Sequence, residues 1–308
     1  MKTILNKLKA TSLGLIALSL GFTSCQEDES LQKANNRPVV TIESNNITVT
    51  EGQDAVFALN LSEAINHPVE YRIEVIGGTA VEGVDFNMSN FSAGDFYYGA
   101  YGYASAVSAH STTQNFSITT IADVLPEDTK TIELKFSPYQ KMAGTIENLF
   151  LTVNIENLVS DDLTTTLNWS GDYLGATDVC DAATGLDFDL ELYASAGGAP
   201  VKTSYGDCPE AITITGTDAD DTYDIDASLW QSNGNTSGTI TNIPVSITFT
   251  KVGFFSETID LSTTFPLADN GLNEGNNNAI KTFSIVKLGT IYTINDGATQ
   301  VATGKYAN

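Results

Sequence analysis

Short stretches of alternating apolar and polar residues recur along the chain beyond residue 37. Examples are Val39-Val40-Thr41-Ile42-Glu43, Ala55-Val56-Phe57-Ala58-Leu59-Asn60-Leu61 and Val69-Glu70-Tyr71-Arg72-Ile73-Glu74-Val75. A period of two belongs to strands with one buried face, and the spacing of an amphipathic helix is almost absent. Turn formers separate the stretches at Glu51-Gly52-Gln53-Asp54, Asn66-His67-Pro68 and Gly77-Gly78. With further strands expected over 114–121, 131–136 and 149–155, residues 38–157 hold about seven strands, which suits an antiparallel sandwich of immunoglobulin-like size.

Residues 158–162 read as a linker, and a second all-β unit over 163–308 opens with Leu163-Thr164-Thr165-Thr166-Leu167-Asn168-Trp169. Strands are expected over 186–193, 211–215 and 243–250. In the first of these, Leu186, Phe188, Leu190 and Leu192 share one face and the acids take the other. That stretch faintly resembles the strand of pre-peptidase C-terminal and related jelly-roll modules, so the expected architecture is two β-sandwiches, the second jelly-roll-like. Asp218, Asp220, Asp221, Asp224 and Asp226 crowd together without the helical flanks, central glycine and closing glutamate of an EF-hand. A solvated acidic turn is the expectation, and a strand-edge calcium site the alternative. Trp169 and Trp230, each following an alternating strand, are expected in the core.

The first residues follow a different logic. Lys2, Lys7 and Lys9 precede an apolar run over 10–22 that is too short to span a bilayer, so residues 1–24 read as a removable export signal. Leu20-Gly21-Phe22-Thr23-Ser24-Cys25 resembles a bacterial lipoprotein lipobox, which implies a lipidated Cys25. Buried acyl chains contribute about 0.8 kcal/mol per methylene, and more than one chain is needed for stable attachment. Residues 25–37 then form a polar tether, and Gln26-Glu27-Asp28-Glu29-Ser30 is similar to the tag that sends Bacteroidetes lipoproteins to the outer face of the outer membrane. An outer-membrane lipid anchor facing the cell exterior is therefore expected, against the alternative of an ordinary cysteine ending a failed membrane span.

Charge narrows the partners. Beyond residue 24 the chain carries 38 acids against 11 bases, a net of −27. Such a surface repels phosphate backbones, which makes nucleic acid an unsuitable partner, whereas divalent cations are natural ones. Setting Cys25 aside leaves Cys180 and Cys208, which an oxidising compartment would pair. A bridge over that loop would stabilise by roughly 3 to 4 kcal/mol. Free thiols are the alternative, and without a nearby histidine or second cysteine pair zinc is not expected.

Several elements come in an order that marks a family: Ile47-Thr48-Val49-Thr50-Glu51-Gly52, Ala55-Val56-Phe57, Gly78-Thr79-Ala80, Gly83-Val84-Asp85-Phe86, then Ile121-Ala122-Asp123 with Glu127-Asp128. Over 38–157 the chain resembles a Calx-beta domain. The resemblance implies a β-sandwich and, in some members, calcium held by acidic loops at one end. Glu51, Asp123 and Glu127 match ligand positions of calcium-binding members, Glu156 with Asn157 stands where they carry a terminal acidic pair, and Asp128 and Asp85 are auxiliary. Gly77 and Val124 replace expected acids, two departures that speak against a multi-calcium cluster. A single weak calcium site and a solvated acidic rim both stay open.

Between Asp85 and Ser105 an insertion rich in Gly, Ala and Ser carries Phe91, Phe96, Tyr97, Tyr98, Tyr101 and Tyr103. Its rings either fold back onto the sheet, the favoured reading, or present faces to an extracellular glycan or protein. His67 and His110 stand outside any catalytic motif, and no Gly-x-Ser-x-Gly, His-Glu-x-x-His or phosphate-binding glycine loop occurs. Enzymatic function is not expected. Three functions compete: a surface-displayed binding or adhesion module with weak calcium binding, a glycan-capture lipoprotein of a polysaccharide uptake system, and a structural envelope spacer.

Overall fold

A computed structural model of the protein describes residues 38–96, 100–138, 148–169, 186–232, 242–265 and 270–304, with side chains at 92–96, 100 and 101 excepted. The described residues form twenty strands and a single 3-10 turn. The first half holds β1 (Val40–Ile42), β2 (Asn46–Thr50), β3 (Asp54–Leu61), β4 (Val69–Gly78), β5 (Phe86–Asn87), β6 (Ser92–Phe96), β7 (Ala100–Val107), β8 (Thr113–Thr120), β9 (Lys130–Pro138) and β10 (Leu149–Glu156). They build one sheet in the order β1-β3-β8-β5 and another in the order β2-β10-β9-β4-β7-β6. Every pairing is antiparallel except that of β2 with β10.

Alternation sets the layers. In β4 Val69, Tyr71 and Ile73 point inward, and in β9 Ile132, Leu134 and Phe136 do the same; all six are buried. Phe57 from the facing sheet stacks on Phe116 at 5.6 Å and meets Phe136 edge-on at 5.5 Å, a geometry that adds about 1 kcal/mol per pair beyond burial. Ten strands replace the seven expected because the Gly/Ala/Ser-rich insertion carries the short β5 and the β6–β7 hairpin, the hairpin paired to β4 through β7.

The second half holds β11 (Leu163–Asn168), β12 (Asp187–Tyr193), β13 (Lys202–Ser204), β14 (Glu210–Ile214), β15 (Asp221–Gln231), β16 (Ser246–Lys251), β17 (Phe255–Asp260), β18 (Ile280–Leu288), β19 (Ile291–Asp296) and β20 (Thr299–Thr303). Its sheets run β14-β11-β16-β17 and β13-β12-β15-β18-β19-β20. Trp169, Phe188 and Phe265 pack ring to ring, at 5.2 Å and 5.3 Å between centroids, and Phe249 meets Phe283 at 5.3 Å. The two cores share no residue.

β15 corrects two expectations. The acidic run from Asp221 to Asp226 is not a turn but the first half of the longest strand among the described residues, with Tyr223, Ile225, Ala227 and Leu229 inward. Trp230 falls on the opposite parity and is 39% exposed, so of the two tryptophans only Trp169 is a core residue. Cys208 is disulfide-bonded; Cys180, like Cys25, lies outside the described residues. No helix among the described residues is long and apolar enough to cross a membrane.

Candidate functional site

Two acidic regions arise from these layers, one at the end of the first unit and one on a sheet face of the second. At the first, Glu51 sits in the turn between β2 and β3, only 5% exposed, and its Oε2 accepts a hydrogen bond from the Leu158 amide at 3.4 Å. Burial pushes the Glu51 carboxyl up, and the neighbouring Glu127 and Asp123 carboxylates add to the shift against the Leu158 bond. The structure therefore brings three of the expected calcium ligands together.

The remaining geometry belongs to a lysine. Lys130, at the start of β9, places Nζ 2.6 Å from Asp85 Oδ1 and ion-pairs with Glu127 as well. Burial alone would lower its pKa, but these two carboxylates outweigh it and raise it. Asp85 is itself 4% exposed, with its second oxygen accepting the Val81 amide at 2.6 Å. Asp123 Oδ1 accepts the Leu125 amide at 2.8 Å, while Asp128 and Glu156 are exposed. Among the described residues no group of three or more His, Cys, Asp or Glu is placed to hold a metal ion. Calcium needs six to eight oxygens, and here an ammonium group already meets the charge, so the residues as arranged do not fit that ion.

The second unit touches this same end. The turn between β16 and β17 donates from the Gly253 amide to the Val124 carbonyl at 3.1 Å, and the Gly253 carbonyl accepts from Asn157 Nδ2 at 3.3 Å. Gly253 has φ +78, and a Cβ there would lie 2.4 Å from the Leu158 carbonyl oxygen. Only glycine permits that approach. Lys251, 1% exposed, donates to the Ser160 carbonyl from 4.1 Å above the Phe254 ring centroid.

The second region lies on the outer face of β12 and β15. Because Phe188, Leu190 and Leu192 face the core, Asp187, Asp189 and Glu191 line up outward at spacings of about 7 Å. Register sets Asp189 opposite Ser228 and Glu191 opposite Asp226. Asp187, Asp189, Glu191 and Ser228, together with Tyr205 and Trp230, line a cleft of about 540 Å³. One wall is Leu272, carried by the 3-10 turn Leu272–Glu274. That turn lies against β15 because Gly271 lacks a side chain; a Cβ would sit 2.3 Å from the Trp230 carbonyl oxygen. Glu274 then fastens it, accepting from the Gly271 amide at 2.6 Å and the Ser232 hydroxyl at 3.0 Å.

Like charges dominate the cleft. Burial, followed by Asp187, Glu210 and Glu191, pushes the Asp189 carboxyl up to about 7. Glu191 is satisfied by hydroxyls, accepting from Tyr193 at 2.6 Å and from Tyr205. The Tyr205 hydroxyl is driven up to about 12, chiefly by that bond. Ser228, 3% exposed, lines the cleft as well.

The other expected site residues are scattered. Tyr103 is buried, edge-on to Phe91 at 6.5 Å with its hydroxyl on Glu82, so it is not a ligand platform. Phe96 and Tyr101 lie on β6 and β7 with side chains outside the description, and Tyr97 and Tyr98 lie outside the described residues. The aspartate cluster is dispersed into separate contacts: Asp218 with Lys202 at 2.5 Å, Asp220 with Lys287 at 3.3 Å, Asp221 with the Ser195 amide at 3.1 Å and Asp226 with Thr282 at 2.5 Å. The cleft went unread in the sequence. The signal was present in the row of acids at period two and in the parity of Trp230 with Ser228, once β15 is recognised as a strand.

No protein-family model matches the chain, and no curated protein sequence matches it. Among solved structures, the apo form of the Calx CBD1 domain aligns over 39% of this chain and 96% of its own at 20% identity, with a TM-score of 0.30. The calcium-binding domain CBD12 of CALX1.1 aligns over 63% of this chain and 80% of its own at 13% identity, with a TM-score of 0.31. A chaperone–tip adhesin complex of CFA/I fimbriae biogenesis covers 72% of this chain and 98% of its own at 7% identity, with a TM-score of 0.24. At such scores the similarities carry no functional argument, and both regions are read from their own residues.

Proposed function

We propose that this protein is a membrane-anchored, cell-surface lipoprotein acting as a non-catalytic binding module, with the cleft of its second sandwich as the binding surface. One observation carries this reading: a preformed cleft of about 540 Å³ that joins two exposed aromatic rings, Trp230 and Tyr205, to a row of carboxylates. Sites of that size, with an aromatic wall and a few polar groups that set orientation, are what ligand binding requires. The lipobox-like run ending at Cys25, the acidic tether and the disulfide at Cys208 support the exported location.

Carboxylates ranged along one strand approach a ligand from one side. In this reading the row holds a ligand in place. The acidic end of the first sandwich serves structure in this reading, fixing the linker and the β16–β17 turn.

Three measurements test it. Mass spectrometry of the purified protein should find Cys25 as an acylated N-terminus, and protease treatment of intact cells should remove the chain. Recovery of uncleaved, unacylated protein from the cell interior overturns the location. Capture of extracellular material by whole cells should fall on Trp230→Ala, and unchanged capture overturns the assignment of the cleft.

A further inference from the structure

We infer that the cleft takes the cationic side chain of an arginine or lysine on an extended segment of a partner protein, with the carboxylates of Asp187, Asp189 and Glu191 as acceptors and Trp230 as the stacking face. The inference rests on the cleft being the binding surface.

The balance of donors and acceptors points to a cation. Asp187 and Asp189 offer four carboxylate oxygens between them, and Glu191, whose two oxygens each accept one tyrosine hydroxyl, keeps a second lone pair on each, whereas the Tyr205 hydroxyl is already given to Glu191. A sugar presents hydroxyls that both donate and accept, and so asks for donors in return. Guanidinium and ammonium groups only donate, five and three hydrogen bonds respectively. The Ser228 hydroxyl on the cleft lining adds one further acceptor.

Charge points the same way. The four described lysines of this unit are committed elsewhere: Lys202 to Asp218, Lys281 to Asp296, Lys287 to Asp220 and Lys251 to the Ser160 carbonyl. Segments 170–185, 233–241 and 266–269 contain neither lysine nor arginine, and Lys305 lies outside the described residues. Where the first unit gathers carboxylates it supplies Lys130, whereas the cleft has no cation among the described residues. Burial and crowding of its acids leave a deficit that a bound cation would fill. Trp230, 39% exposed, and Tyr205, 52% exposed, supply π faces over which a guanidinium stacks favourably. The acids repeat every second residue, as would alternate side chains of an extended peptide laid along β12.

Tryptophan fluorescence of the full chain tests this, since Trp169 is buried and Trp230 is open to quenching. The probes are a blocked Gly-Arg-Gly-Arg-Gly peptide and the same peptide with citrulline, the neutral isostere, in place of arginine. The arginine peptide should change the emission saturably, with the citrulline peptide at least tenfold weaker and the signal absent in Trp230→Phe. Asp189→Asn and Glu191→Gln, which preserve shape, should each weaken binding at least threefold while a thermal melt shows the variant folded. Glu257→Gln, an exposed acid on the other sheet, should leave affinity unchanged. Equal binding of both peptides, or equal losses in Glu257→Gln and Asp189→Asn, overturns the inference. Saturable quenching by a neutral N-acetylglucosamine oligomer without response to the arginine peptide also overturns it, yet leaves the cleft as the binding surface. If no probe moves the signal and whole-cell capture survives Trp230→Ala, the cleft assignment falls as well.

Discussion

The Lys130 ammonium lies 2.6 Å from Asp85 Oδ1 at the end of the first sandwich, and the same group ion-pairs with Glu127. One lysine thus neutralises two carboxylates in the region where the sequence suggests a bound cation. Asp85 is almost wholly buried, so its charge depends on this partner.

Lys130→Gln should therefore destabilise the fold by about 2 kcal/mol, because it leaves an uncompensated buried carboxylate. The loss should be visible as a lower urea midpoint with unchanged m-value. In the unmodified protein, adding calcium or EDTA should shift Tm by less than about 1 °C, since a ligand stabilises only as far as it binds the folded state. A calcium-dependent rise of several degrees in the unmodified protein would show that calcium displaces the lysine.

Glu51→Gln should stabilise the protein at neutral pH. Burial and the adjacent Glu127 and Asp123 raise the Glu51 carboxyl above its ordinary value, so the folded state holds a proton more tightly than the unfolded state. That contribution is present below the ordinary pKa and lost as pH rises through the raised one. A Gln side chain still accepts the Leu158 amide and removes the repulsion. Thermal melts should show a gain at pH 7 that vanishes near pH 4.

Asp189→Asn should behave similarly in the second unit. Asp187 and Glu191 on its own strand, Glu210 from β14, Asp226 from β15 and Tyr205 all surround it without a lysine, and its carboxyl titrates at about 7. Stability should fall in the unmodified protein between about pH 4 and pH 8 through this group, and the asparagine variant should lose that part of the slope. Because the site is partly open to water, a Tm gain of roughly 2–4 °C at pH 8 is expected, corresponding to about 1 kcal/mol for a unit of this size. An unchanged pH profile would contradict the crowding of charge in the cleft.

Gly253→Ala should loosen the junction of the two units. The added Cβ would press on the Leu158 carbonyl and occupy a backbone conformation that disfavours side chains, a cost of about 1–3 kcal/mol. Limited proteolysis should then cut within 158–162 faster than in the parent protein while both cores keep their protection. Equal cutting rates would mean that the turn contributes nothing to linker order.

Alternation alone revealed much of the architecture. β3, β9, β10 and β12 lie within a residue or two of their expected bounds, because each has one apolar face that must be covered, while β4 runs on through Gly77 and Gly78, where a turn was expected. β15 was hidden because its polar face is a row of aspartates, whose composition signals a turn even though Tyr223, Ile225, Ala227 and Leu229 keep the period of a strand. The same misreading placed Trp230 in the core and concealed the cleft.

The local order of residues determines that this chain is all β, acidic and organised in two halves, since a half-buried strand writes its period directly into its own residues. Which carboxylates meet a cation is decided only by the folded chain. Lys130 is adjacent in sequence to none of its partners, and β5, β9 and the loop before β9 must converge before its ammonium reaches Asp85 and Glu127. The acids on β12 look no different in sequence from those just before β15, yet lysines fold beside Asp218 and Asp220, and among the described residues none pairs with Asp187 or Asp189. Charge compensation acts through space over a few ångströms, and only the tertiary packing sets those distances.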